Sequence, residues 1–470
     1  MQIPEEPQLD APENGGFMLA PAGKQFTGND QRDPLRSALE RHGELPPAQT
    51  AGRLFAVACV SLEITQRCNL DCTLCYLSSR AEMAKDVPLP VLFDRINTIE
   101  SHYGKGTSVQ ISGGDPTLRK IEDLESLCHH IRKRGMRSCL MTNGIKATRT
   151  MLERLASAGL NDVAFHVDLT QERKGYPTEV SLNTIRSEYI QRAQNLGLRI
   201  LFNTTLYDGN IRELPALASF FREQAHNISL ISFQMQADTG RGVLRQREDV
   251  VTRENVVNSL SSGFDTALDF DAVSVGHSQC NRYTTLLCAG GDVLQVLGNT
   301  PLIEDTIAAL EAGDARAQGY LDPWAQARRL LFRRPGLMAR LAIESLSWLW
   351  KLRRGIWRSG GRPHRMSILI HDFMDASKLD RARCESCVFM VATENGPLSM
   401  CVHNAERDQH VFTPALMQTE NGPRWWDAES GELVPDQQKI ELIDKELIPL
   451  KRLKGRMRAD VADVKNRETV

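Results

Sequence analysis

No uninterrupted apolar run in the 470-residue chain approaches the ~20 residues that a bilayer span requires. The first residues, MQIPEEPQLDAPENGG, are acidic and proline-bearing, without the basic start and apolar stretch of an export signal. A cytoplasmic protein is therefore expected. Neither sign of charge dominates: 57 Lys and Arg face 59 Asp and Glu, for a net charge of −2. That balance gives no global reason to hold a polyanion, and nucleic acid is not an expected partner. The chain also lacks internal repeats, long low-complexity tracts and any cysteine before Cys59. Without an oxidising compartment, its eleven cysteines read as metal ligands or buried thiols before disulfides.

What the chain does have is alternation. Residues 1–52 are rich in Pro, Gly, Gln and charge and read as a flexible N-terminal extension. From about Phe55, AVACVSLEIT, TSVQISG, RSCLMTN, DVAFHVDL, RILFNTT and ISLISFQM read as strands. Between them, PLPVLFDRINTIESHY, IEDLESLCHHIRKRG, TRTMLERLASAGL, SLNTIRSEYIQRAQNLGL and IRELPALASFFREQ read as helices. Repeated strand–helix order predicts an α/β fold, with parallel strands forming a partial or full (β/α) barrel over residues 53–275. A cysteine-containing extension over 276–410 and a tail over 411–470 complete the expected division.

Chemistry in such folds gathers at the C-terminal ends of the strands. The motif CNLDCTLC, carrying Cys68, Cys72 and Cys75, follows the first strand, Gly113-Gly114-Asp115-Pro116 the second, and Thr142-Asn143-Gly144 the third. Three thiolates on one short loop can approach a single metal centre. Structural zinc takes four protein ligands, whereas three suffice for a cubane cluster that keeps one iron open.

The C-x3-C-x2-C spacing, with Tyr76 directly after the third cysteine, resembles the signature of the radical S-adenosylmethionine (radical SAM) superfamily. The resemblance implies a 4Fe–4S cluster on Cys68, Cys72 and Cys75 whose open iron chelates SAM. In that family, one electron from the reduced cluster cleaves SAM to methionine and a 5′-deoxyadenosyl radical, which abstracts hydrogen from an unactivated carbon. It also implies cofactor contacts from Gly113, Gly114 and Asp115, with Asp in place of the family's Glu, and from Thr142, Asn143, Asp168 and Asn203. An external donor of the flavodoxin or ferredoxin type would supply the electron.

Further motifs narrow the resemblance. ISFQMQADTGRG, HSQC ending at Cys280, HDFMD from His371 to Asp375, and RCESC through SMCVHN are similar to one branch of the superfamily. That branch includes tetraether lipid synthases and a methyltransferase acting on a pterin precursor. It implies that Cys280, Cys384, Cys387 and Cys401 hold a second iron–sulfur cluster, with zinc or no metal as alternatives and Cys288 as a substitute ligand. The branch's cysteine-rich N-terminal module has no counterpart before Cys59.

One local feature hides in the balanced charge. Between Arg328 and Arg365 there are eleven Lys or Arg residues and one acid, Glu344, interleaved with Trp348, Trp350 and Trp357. A helical projection puts Leu341, Ser345, Trp348, Leu349, Leu352 and Ile356 on one face, and Arg340, Lys351, Arg354 and Arg358 on another. Such a helix either docks on the barrel or lies peripherally on an anionic membrane.

The expected function is radical functionalisation of an unactivated C–H bond in a lipid-like substrate, with carbon–carbon coupling. Methylation of a pterin-like small molecule and a non-enzymatic iron–sulfur scaffold or electron carrier are the alternatives. His166, His277 and His371 are candidate acid–base groups by position alone.

Overall fold

The computed structural model describes residues 34–242, 251–312, 328, 332–420 and 422–437. Helix α1 (Pro34–Arg41) precedes six strands: β1 (Cys59–Thr65), β2 (Ser108–Gly113), β3 (Arg137–Thr142), β4 (Asp162–His166), β5 (Arg199–Leu206) and β6 (Ile228–Met235). Each pairs in parallel with the next. The crossovers carry α2 (Leu89–Tyr103), α3 (Ile121–Lys133), α4 (Arg149–Ala158), α5 (Asn183–Ala193) and α6 (Leu214–Glu223). All six expected strands and five expected helices are present.

The period of two along β1 explains how a fully buried strand can serve both core and site. Val60, Leu62 and Ile64 point into the helix-covered core, while Ser61 and Glu63 line a central cavity. On α3, Leu124, Leu127, Cys128 and Ile131 form the buried stripe. Burying each such leucine or isoleucine contributes about 1.5–3 kcal/mol.

The C-terminal half adds strands to both edges. β7 (Asn281–Ala289) forms a hairpin with β8 (Asp292–Gln295) and pairs antiparallel with β9 (His364–Asp372), which lies parallel to β6. On the other side, β10 (Phe389–Thr393) runs parallel to β1 and forms a hairpin with β11 (Gly396–Ser399). The resulting order is β11-β10-β1-β2-β3-β4-β5-β6-β9-β7-β8, and among the described residues no pairing joins its ends. The architecture is therefore an open, mostly parallel α/β sheet, the partial form of the expected barrel.

Residues 34–52 and 411–437 are packed rather than loose. Leu35, Leu39 and Ala51 pack on Val388, while Phe412, Ala415 and Trp426 meet Ala84 and Val91. Residues 1–33 and 438–470 lie outside the described residues.

The basic segment forms two helices, Pro335–Lys351 and Arg353–Arg358. Much of the apolar face expected from the projection turns inward: Leu352 is buried, and Leu341, Trp348 and Ile356 are half-buried. Leu349 is exposed. Among the described residues no helix is long and apolar enough to cross a membrane.

Candidate metal and cofactor site

Cys68, Cys72 and Cys75 leave the end of β1 on an irregular loop and line one cavity of about 220 Å³. Backbone packing fixes the loop from two sides. A Cβ on Gly113 would stand 2.0 Å from the Thr65 carbonyl oxygen, and one on Gly114 would stand 2.1 Å from that of Arg67. Only glycine permits this approach. It lets the Gly114 and Asp115 amides donate to those two carbonyls, each at 2.8 Å. On the other side Gly240, at φ +59°, would place a Cβ 2.3 Å from the Tyr76 carbonyl oxygen. The Arg241 amide donates to Leu77 O at 2.7 Å, and Gly242 to Cys75 O at 3.1 Å. The Arg241 side chain is buried beside Cys75, 4.0 Å from Asp71 and 3.8 Å from Glu82.

Burial pushes the Cys72 thiol well up, and the neighbouring Cys75, Asp168 and Cys68 add to that rise. A metal cluster would offset this accumulation of negative charge. Among the described residues no three His, Cys, Asp or Glu side chains surround a single-ion site. Three cysteines of one loop facing one cavity suit a cluster that takes three thiolates and keeps one iron open.

Asp115 and Asp168 turn out to brace the site from behind. Asp115 is fully buried and accepts from Thr142 Oγ1 at 2.9 Å, Asn143 N at 2.8 Å and Thr117 N at 3.0 Å. Its carboxylate ties the loop after β2 to the loop after β3, and Asn143 is thereby turned towards the cysteine loop. Asn143 Nδ2 donates to Asn69 Oδ1 at 2.6 Å and lies 3.9 Å from Cys68 Sγ. Asp168 likewise accepts from Thr205 N at 2.8 Å and Thr170 N at 3.0 Å.

His166 Nε2 meets Asp168 Oδ2 at 2.6 Å. Burial opposes both charges, but the pair prevails: the carboxylate is held down at about 2 and the imidazolium is favoured. It is His166 that lines the cavity, with Gly113, Gly114, Thr142 and Asn143; Asp115, Asp168 and Asn203 do not. Asn203 is buried, its Nδ2 3.9 Å from Met141 Sδ. His277 and His371 are not part of this cavity. His371 is a core residue between Phe373 and Phe389, 2.9 Å from Asn281 Oδ1, and burial depresses it to about 3.

A second wall was not anticipated from sequence. Arg407 donates to the Glu63 carboxylate through Nη1 at 2.7 Å and Nη2 at 2.9 Å, and stands 4.5 Å over the Tyr76 ring. Burial alone would raise Glu63, but Arg407 holds its carboxyl at about 2. Gln110, Gln234 and Asn404 extend this polar wall. Leu70, Leu74, Met141, Met235 and Phe373 also line the cavity. Alternation along β1 was the available signal for Glu63; nothing local marks Arg407.

The later cysteines also feel one another's charge. Burial raises Cys280 to about 11 and Cys384 to about 12, and Cys387 adds to the rise in both. Burial raises Cys401 too, reinforced by Cys387, Cys280 and Cys384. Arg383 Nε donates to Cys280 Sγ at 3.2 Å. The Met400–Ala405 helix connects the two places, giving Met400 and Asn404 to the cavity and Cys401 to the four-thiol group. Cys288 instead lies in the main core.

Three thiols on a glycine-braced loop thus stand at the strand ends of an open, mostly parallel α/β sheet. Residues 62–221 match the Radical SAM superfamily, and the chain carries a radical SAM domain. It is similar to Fe-coproporphyrin III synthase of Methanosarcina barkeri, 28% identical over 208 residues, covering 41% of this chain and 47% of that protein. It is also similar to 7,8-dihydro-6-hydroxymethylpterin dimethyltransferase of Methanocaldococcus jannaschii, 26% identical over 189 residues, covering 38% and 37%. These matches span about half or less of the relatives' own length. The solved structure of anSMEcpe with bound AdoMet aligns at a TM-score of 0.35 and 17% identity over 44% of this chain and 59% of that one. The family implies a 4Fe–4S cluster and SAM.

Proposed function

We propose that the protein is a radical SAM enzyme that functionalises an unactivated C–H bond of a lipid-like substrate, with carbon–carbon bond formation as the outcome. The observation that carries the enzymatic reading is convergence: Cys68, Cys72, Cys75, Gly113, Gly114 and Asn143 all face one cavity. Cys68, Cys72 and Cys75 would hold the cluster, with the Gly113-Gly114 backbone, Thr142 and Asn143 beside SAM. When bound, the reduced cluster supplies the electron that cleaves SAM and so furnishes the hydrogen-abstracting 5′-deoxyadenosyl radical. Of the chain's own groups, Asp115 positions Asn143, Asp168 orients His166, and Gly240 and Arg241 brace the cysteine loop.

The leucine, methionine and phenylalanine side of the cavity suits an alkyl chain. The Glu63–Arg407 wall with Gln110, Gln234 and Asn404 supports the second reading, methylation of a pterin-like heterocycle with polar edges. Cys280, Cys384, Cys387 and Cys401 would hold a second iron–sulfur cluster, next to the substrate cavity through the Met400–Ala405 helix. The lipid reading includes peripheral contact with a membrane and an external flavodoxin- or ferredoxin-type electron donor.

The test is anaerobic reconstitution with SAM and reductant in the presence of extracted lipids or pterins, followed by mass analysis. Coupled lipid products support the first reading and methylated pterins the second. Absence of 5′-deoxyadenosine from cluster-loaded protein would contradict both.

A further inference from the structure

The Pro335–Lys351 helix and the short helix after it are apolar on two sides. The inward side buries Leu337, Leu352 and Gly355; a Cβ on Gly355 would stand 2.1 Å from the Ala289 carbonyl oxygen in the β7–β8 turn. The outward side carries Ile343, Leu346, Trp350 and Trp357, exposed by 67%, 65%, 69% and 84%. Ile343, Leu346 and Trp350, spaced three and four apart, share one stripe of the first helix, and Trp357 is exposed on the second. This is not the face that the sequence projection marks as apolar.

The segment that carries the stripe is cationic. Among the described residues Arg333, Arg334 and Arg354 form no ion pair, the Arg353 guanidinium stands 4.3 Å over the Trp350 ring, and Lys351 lies with Glu344 and Trp348 on the docked side. Glu344, the sole acid from 332 to 365, accepts from the Trp348 indole at 3.0 Å on the docked side. Exposed tryptophans on an arginine-rich segment match an anionic lipid interface, where the rings enter the headgroup region and the cations meet phosphates. A second copy docking through the same stripe would instead bring like-charged arginines together.

We propose that this stripe docks the protein on an anionic lipid surface. The inference rests on the lipid-substrate reading and deepens it by naming the surface from which the substrate is drawn.

The full-length, cluster-loaded protein is floated with phosphatidylglycerol–phosphatidylcholine vesicles and with pure phosphatidylcholine vesicles, at low and high salt. Expected are a preference of about tenfold or more for the anionic vesicles, weakened by salt, and a comparable loss in the Ile343→Ser/Leu346→Ser/Trp350→Ser/Trp357→Ser variant. Arg333→Gln/Arg334→Gln/Arg354→Gln should remove the anionic preference while leaving 5′-deoxyadenosine formation unchanged. Circular dichroism and iron content check that each variant is folded. Equal flotation with both vesicle types, unchanged binding by the serine variant, or a parental dimer made monomeric by it would overturn the proposal. Vesicle binding without lipid products would sink the substrate reading alone, and lipid products without vesicle binding would sink the docking surface alone.

Discussion

The two cysteine groups of this molecule are assembled in opposite ways. Cys68, Cys72 and Cys75 stand on one loop, whose shape is set by glycines approaching its backbone from both sides. Cys280, Cys384, Cys387 and Cys401 come from separated segments, and Cys384 and Cys401 are packed with Met374 and Val402 in a small apolar cluster. The first group can lose a thiol without losing packing. The second combines ligand and core roles, so its substitutions should change stability as well as metal content.

The largest effect is expected from Cys72→Ala, which should reduce 5′-deoxyadenosine to background while its thermal midpoint stays near that of the cluster-free parent. A large fall in midpoint would show that the loop thiols are also structural. Next comes Arg407→Met, which strands the buried Glu63 carboxylate and should cost about 3–5 kcal/mol in urea unfolding. Glu63 is held at about 2 against an ordinary 4.5. Its stabilising contribution is therefore complete above 4.5 and is lost as pH falls towards 2. In Arg407→Met burial raises the unpaired carboxyl instead, so the variant's stability deficit should shrink as pH falls and the carboxyl is protonated; a deficit independent of pH would refute the assignment.

Gly240→Ala should cost about 1–3 kcal/mol and lower iron retention, because the new methyl meets the Tyr76 carbonyl. Unaltered iron binding would mean that this segment does not brace the loop. Cys384→Ala should lower bound iron without emptying the first cluster, and also reduce stability by about 1–2 kcal/mol. Iron equal to the parent's would remove the second cluster. The smallest effect is expected from Cys288→Ala: a similar core cost and no change in iron, since Cys288 packs in the main core away from the four-thiol group.

The same contrast explains what could be read from sequence. Strands buried on both faces, such as DVAFH and ISLISFQM, are apolar enough to identify in isolation, and helices such as IEDLESLCHHIRK declare themselves by period. The segments DVLQ and GPLS are too short to declare themselves, and hairpin pairing with β7 and β10 makes them strands. Within the candidate site, contiguous spacing exposed the three loop cysteines and Gly113-Gly114. Asp115 and Asp168 were recognisable as site residues, but their direction depends on hydrogen bonds to Asn143 and Thr205 across neighbouring strand ends. Arg407 reaches Glu63 across 344 residues of sequence, which no local pattern records. The basic helix shows the limit most clearly: one projection can identify an apolar face, but not which of two such faces the body covers.

The central claim is that Cys68, Cys72 and Cys75 hold a cluster with an iron open to SAM. Electron paramagnetic resonance of the reduced, reconstituted protein, recorded with and without SAM, tests it most directly. A 4Fe–4S signal that SAM shifts is expected in the parent and in Cys384→Ala, with no such SAM-responsive signal in Cys72→Ala. A signal indifferent to SAM, or a SAM-responsive signal that survives Cys72→Ala, would contradict it.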